Sequence, residues 1–108
     1  MKNLIPEDDY GVFADQKGVA RVDSLFVAAT FEKGHRHVLR DIARIIEPRS
    51  GLSENFIHDN FILSTYRDAR GRKLPRYLLT RDGFTMLVMG YTGPKAMHFK
   101  ELYIQRFN

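Results

Sequence analysis

Residues 24–46, SLFVAATFEKGHRHVLRDIARII, restrict the fold most. Two short apolar-periodic segments flank a turn that contains Gly34. In the second segment Arg36, Arg40 and Arg44 recur every four residues. On a helix that spacing stacks three guanidinium groups on one face. Val38, Leu39, Ile42, Ile45 and Ile46 fall largely on the other side. A short helix, a tight turn and a second helix with one apolar and one basic face predict a helix-turn-helix. Its second helix would dock by the apolar face and offer the basic one to phosphates and base edges.

The charge distribution supports a polyanion partner. The net charge is +4 over 108 residues. Residues 33–49 hold Lys33, Arg36, Arg40, Arg44 and Arg49 against Asp41 and Glu47, giving +3. Residues 67–76 hold Arg67, Arg70, Arg72, Lys73 and Arg76 against Asp68, giving +4. The rest of the chain sums to −3. Such segregation suits duplex DNA, although solvated basic faces have the same composition.

The remaining segments read as a small α+β domain over residues 1–108. A hydrophobic fraction of 44% and eight Phe suffice for one packed core. Tyr10 to Phe13 and Val19 to Val22, around Asp15-Gln16-Lys17-Gly18, predict an N-terminal hairpin at about 10–22. Ser24 is the expected cap of a first helix, Leu25 to Phe31. The second helix, from His35 or Arg36 to Ile46, stops before Pro48. Ser50 to Ser53 is a loop. Phe61 to Arg67 and Leu74 to Thr80 predict strands joined by Asp68-Ala69-Arg70-Gly71-Arg72-Lys73, a type I turn closed by a positive-φ glycine. Pro75 assigns the returning strand to an edge, or lets it start there. Thr80 or Asp82 caps a third helix carrying Phe84, Leu87, Val88 and Tyr91. A last helix, Lys95 to Phe107, aligns Ala96, Phe99, Tyr103 and Phe107.

These elements place two candidate DNA-contacting groups. The helix group is Lys33, His35, Arg36, His37, Arg40 and Arg44. Arg40 is equally placed for an ion pair with its neighbour Asp41. The hairpin at about 61–80 carries Arg67, Arg70, Arg72, Lys73 and Arg76, and reads as a basic wing along adjacent phosphates. An ordinary exposed hairpin would also carry such residues to discourage edge pairing.

Other chemistries find little support. His35-x-His37 does not make a metal site, because helical residues two apart do not share a face and the chain has no Cys. His35 is read as capping the helix or reaching a phosphate. There is no nucleophile elbow, glycine-rich phosphate loop or His-Glu-x-x-His, so neither enzyme activity nor a cofactor is expected. The acidic start MKNLIPEDDY is not a secretory signal, and no apolar run approaches the ~20 residues of a membrane span. The expected location is the host cell cytoplasm or nucleoid.

The chain resembles the phage regulatory protein Rha family from Val22 onward. The resemblance rests on His35 with Val38-Leu39-Arg40-Asp41-Ile42, on Asp68-Ala69-Arg70-Gly71-Arg72 with Pro75, Tyr77 and Leu79-Thr80, and on Asp82-Gly83-Phe84. It continues through Leu87 to Gly93, Lys95-Ala96, Phe99-Lys100-Glu101 and Tyr103-Ile104. It implies a transcriptional regulator of temperate phages or prophages, linked with antirepressor-like proteins and presumed to bind DNA. Two features depart from the family pattern. Members usually carry Gly directly after the Phe that ends the first helix. Here the order is Phe31-Glu32-Lys33-Gly34, so the flexible residue stands later. The pair before Val38, often acidic or amide in the family, is Arg36-His37. Many relatives continue into a variable C-terminal domain.

The combined expectation is a winged-helix-like α+β domain: N-terminal hairpin, helix-turn-helix at about 24–46, basic wing, and two C-terminal helices at about 81–107. Its expected function is duplex DNA binding in phage or prophage transcription. The alternative is an antirepressor-type interaction module that binds a repressor or host protein. A homodimer through the C-terminal helix is the expected assembly.

Overall fold

The computed structural model describes residues 12–14 and 20–107, with side chains described over 20–105. Its order is β1 (Val12–Ala14), β2 (Ala20–Asp23), α1 (Ser24–Thr30), α2 (His35–Ile46), α3 (Glu54–Asn60), β3 (Phe61–Arg67), β4 (Lys73–Leu79), α4 (Arg81–Val88) and α5 (Pro94–Phe107). One antiparallel sheet has the order β1-β2-β4-β3. Helices and antiparallel sheet make this an α+β fold. β1 and β2 pair with Val12 opposite Val22. The turn expected at Asp15 to Gly18, and Tyr10, lie outside the described residues.

Helix α1 differs from expectation at its start. The cap is Asp23, whose Oδ1 accepts the Leu25 N–H at 2.9 Å. Ser24 is fully buried instead. Its Oγ accepts the Tyr77 N–H from β4 at 2.9 Å and lies 2.9 Å from His35 Nε2. The hydroxyl is drawn inside because two polar groups there need a partner.

The α1–α2 turn also corrects the sequence reading. The left-handed residue is Glu32, with φ 56°, and Gly34 has an extended φ of −64°. The Lys33 N–H reaches back to the Ala28 carbonyl at 2.9 Å, closing a Schellman turn with Glu32 at its left-handed position. The left-handed site therefore keeps its place directly after Phe31. It is filled by a residue with a Cβ.

Helix α3 is an element to which the apolar pattern gives no signal. Its seven residues offer only Phe56 and Ile57 as large apolar side chains, too few for a period to emerge. Ser53 caps it by accepting the Phe56 N–H at 3.2 Å. Strand β4 ends one residue before the expected position because Thr80 caps α4, accepting the Gly83 N–H at 3.1 Å. A Cβ on Gly83 would collide with the Asn60 carbonyl oxygen, so glycine permits this close crossing of α4 over the end of α3.

Strands β3 and β4 pair without interruption from Phe61↔Leu79 to Arg67↔Lys73. β4 is interior in strand order, yet β2 reaches only Leu78 and Leu79. At Pro75, therefore, β4 is bordered by β3 alone. The ladder also tolerates Pro75 by parity. The Thr80 N–H bonds Asn60 and the Asp68 N–H bonds Arg72, so even-numbered residues face across the β3–β4 ladder. Tyr77 N–H points away, to Ser24. Pro75 shares the parity of Tyr77, and its missing N–H costs no ladder bond.

The core gathers Val22, Val27, Val38, Ile42, Phe61, Leu79, Phe84, Leu87, Val88, Tyr91, Ala96 and Phe99. Phe84 is its hub, edge-on to Phe99 at 5.2 Å between ring centres and 6.2 Å from Phe31. The α5 stripe is thereby used inside the domain: Ala96 and Phe99 are each 1% exposed. The side chain of Phe107 lies outside the described residues.

Candidate nucleic-acid interface

Helix α2 buries Val38 and Ile42 and turns Arg36, His37, Arg40 and Arg44 to solvent. Among the described residues none of these three arginines forms an ion pair. Asp41, the expected competitor for Arg40, faces Tyr91 instead. Burial, and then the nearby Asp41 charge, pushes the Tyr91 hydroxyl well above its ordinary pKa. Lys33 is turned to the same place, its Nζ 4.4 Å from the Tyr91 ring centre. Lys33, Asp41, Arg44 and Tyr91 border a cleft of about 260 Å³ between α2 and the end of α4. Lys33 is thus held beside the arginine row by a cation–π contact.

His35 is half-buried and serves the fold. Its ring bonds Ser24 and meets Tyr66 of β3 edge-on at 5.9 Å. Burial lowers its pKa, against a smaller opposing pull from Asp23. This contact fixes the start of α2 against the β3–β4 hairpin. The free His37 and Arg36 follow directly.

The hairpin cations divide into two kinds. Arg76 Nη1 donates to Asp23 Oδ2 at 2.6 Å, and both side chains are largely covered. Arg76 is therefore tied to the cap of α1. At the tip, Asp68 Oδ1 accepts the backbone N–H of Arg70 and of Arg72, each at 2.9 Å. Its Oδ2 accepts from Arg72 Nε at 2.7 Å. These bonds, the Arg72 N–H foremost, hold the Asp68 carboxyl below the usual carboxylate range. Arg67 Nη1 donates to the Gly71 carbonyl at 2.8 Å, and Gly71 has φ 79° as the turn requires. The Arg70 and Lys73 side chains are exposed and carry no ion pair among the described residues.

The structure thus brings together Arg36, His37, Arg40 and Arg44 on one open face. Arg70 and Lys73 stand free on the neighbouring hairpin, while Arg67 and Arg72 brace its turn. Ser24 and Tyr66 are the positioning residues that sequence reasoning missed. Ser24 carried a signal: it precedes Val27 and Ala28 by three and four residues, on the buried face. No helix among the described residues is long and apolar enough to cross a membrane.

The α+β module displays a row of exposed cations, Arg36, Arg40 and Arg44, beside a braced basic hairpin. The chain belongs to the phage regulatory protein Rha family, whose model matches residues 22–108. It is 42% identical over 87 residues to an uncharacterized protein of Haemophilus influenzae, covering 80% of this chain and 49% of that protein. It is 33% identical over 100 residues to a Bacillus subtilis protein named as an SPbeta prophage-derived putative antirepressor, covering 93% and 39%. It is 32% identical over 114 residues to an uncharacterized 22.8 kDa protein of Salmonella phage P22, covering 100% and 54%. The chain therefore spans about half the length, or less, of these relatives. No solved structure matches it.

Proposed function

We propose that this chain is a non-enzymatic DNA-binding regulator, with α1–α2 as a helix-turn-helix and β3–β4 as its wing. One observation carries the reading: the start of α2, where Arg36 and His37 are free, is pinned to the basic hairpin through His35 and Tyr66. Arg40 and Arg44 meet phosphates along the helix. Arg36 and His37 reach base edges, since the first turn of such a helix enters the major groove most deeply. Arg70 and Lys73 follow the adjacent backbone. No metal or cofactor enters the mechanism, and the site of action is the host cytoplasm or nucleoid. Fluorescence anisotropy on duplex DNA across a salt series tests it. Four to six phosphate contacts give a logarithmic salt slope of roughly −4 to −5. Absence of binding to any duplex at low salt removes the proposal.

The name of the Bacillus relative favours a second reading, an antirepressor-type module whose basic face meets an acidic repressor or host protein. Complexes that survive high salt while DNA retention fails would select it. A homodimer through α5 would draw on Met97 and Ile104, the large exposed apolar side chains on the described part of that helix.

A further inference from the structure

The cleft between α2 and the end of α4 holds a group that packing does not explain. Tyr91 lines it and is 4% exposed. Its ring meets Phe31 edge-on at 5.8 Å, a contact that phenylalanine would make as well. Its hydroxyl is buried and has no partner at hydrogen-bonding distance and angle. A polar group left so is costly, and its presence calls for a partner from outside the chain. The same cleft is bordered by Lys33, Asp41 and Arg44, with Ile45 and Leu87 as apolar walls. Among the described residues no ion pair ties any of the three charged groups.

We propose that this cleft binds a small amino diacid, of the size and charge of glutamate. The charge pattern selects the class. The cleft offers two cations and one carboxylate, and their complement is two carboxylates and one ammonium. Lys33 and Arg44 each take one ligand carboxylate, Arg44 by its planar fork. Asp41 takes the ammonium. The Tyr91 hydroxyl keeps its proton, because burial and Asp41 raise its pKa, and donates it to the carboxylate beside Lys33. Lys33 Nζ already rests 4.4 Å from the Tyr91 ring centre, so its charge starts on the wall of the cleft. A plain dianion without an ammonium meets Asp41 as a like charge and is disfavoured. The volume agrees. About 260 Å³ holds about nine waters at roughly 30 Å³ each, and such a ligand has about ten non-hydrogen atoms. The site stands whether or not α2 meets DNA.

Titration of the isotope-labelled chain with L-glutamate, followed by NMR, tests the site. Glutarate, the same diacid without its ammonium, is the control at equal ionic strength. Glutamate should shift the amides of Lys33, Asp41, Arg44 and Tyr91 and saturate at about millimolar concentration, the range open to so small a ligand. Glutarate should bind about tenfold more weakly, and Asp41→Asn should erase that difference. Tyr91→Phe should weaken glutamate binding about tenfold and leave the melting temperature unchanged or higher, because no internal hydrogen bond is lost. A purely structural hydroxyl predicts the reverse, a lower melting temperature and unaltered binding. The proposal is overturned if no saturable shifts arise at these residues up to about 20 mM glutamate. It is overturned equally by glutarate that binds as tightly as glutamate, or by a Tyr91→Phe variant that binds as the parent chain does.

Discussion

The buried Ser24 hydroxyl and Nε2 of His35 stand 2.9 Å apart, across the eleven residues that separate the starts of α1 and α2. Ser24 Oγ already accepts the Tyr77 N–H, so its own proton is best spent on an unprotonated His35 nitrogen. A protonated ring would compete for the oxygen and leave the hydroxyl proton without this acceptor.

The first prediction concerns pH. Burial lowers the His35 pKa in the folded chain. Between the folded and unfolded values the unfolded chain binds more protons, so stability rises with pH there. The contribution is complete above the ordinary histidine value of about 6.5 and fades as pH falls through the lower folded value. The melting temperature should drop between pH 7.5 and 5, and His35→Gln should flatten that part of the profile. An equal slope in the variant would assign the effect to other groups.

Glu32 gives a stabilising change. A left-handed non-glycine residue costs about 1–2 kcal/mol, and glycine returns about 0.5–1 kcal/mol of that in chain entropy. Glu32→Gly should therefore stabilise the fold by about 0.5–1 kcal/mol in urea titration. Lys33→Ala, which keeps the turn but loses the contact with Tyr91, should not.

Asp23 and Arg76 predict a split between fold and binding. Asp23→Ala removes both the cap of α1 and the partner of Arg76, and should cost about 1–2 kcal/mol of stability. Arg36→Ala and Arg40→Ala, at exposed unpaired positions, should leave stability within about 0.5 kcal/mol. Thermal melts of the three variants decide this before any ligand is added.

Helix and hairpin should fail differently on DNA. Arg36→Ala or His37→Ala should alter the motif recovered from randomised duplexes. The paired change Arg70→Ala with Lys73→Ala should weaken binding to all sequences alike. An unchanged motif in both helix variants would move base readout away from α2.

The sequence disclosed what periodicity and turn chemistry control. The second helix, the β3–β4 hairpin and the Phe84-Leu87-Val88-Tyr91 face were readable because each repeats its signal several times. Helix α3 was not, since seven residues cannot establish a helical period. Ser24 was misassigned because serine is a good cap and an equally good internal acceptor, and only the arrival of Tyr77 N–H from 53 residues away selects between them. The same holds for the cations. Arg76 and Arg70 look alike in the chain, and only the fold brings Asp23 to one of them. Family resemblance supplied the expectation of a regulatory role, which no spacing of charges specifies.

The crossed bonds at the hairpin tip have a kinetic meaning. With Asp68 holding two backbone N–H groups and one guanidinium, and Arg67 holding Gly71, the loop has surrendered its freedom before any partner arrives. Little ordering entropy is left to be lost on contact. On the proposed DNA-binding function, encounter at this loop would be governed by ionic strength and orientation rather than by a slow refolding step, because the shape is already cast.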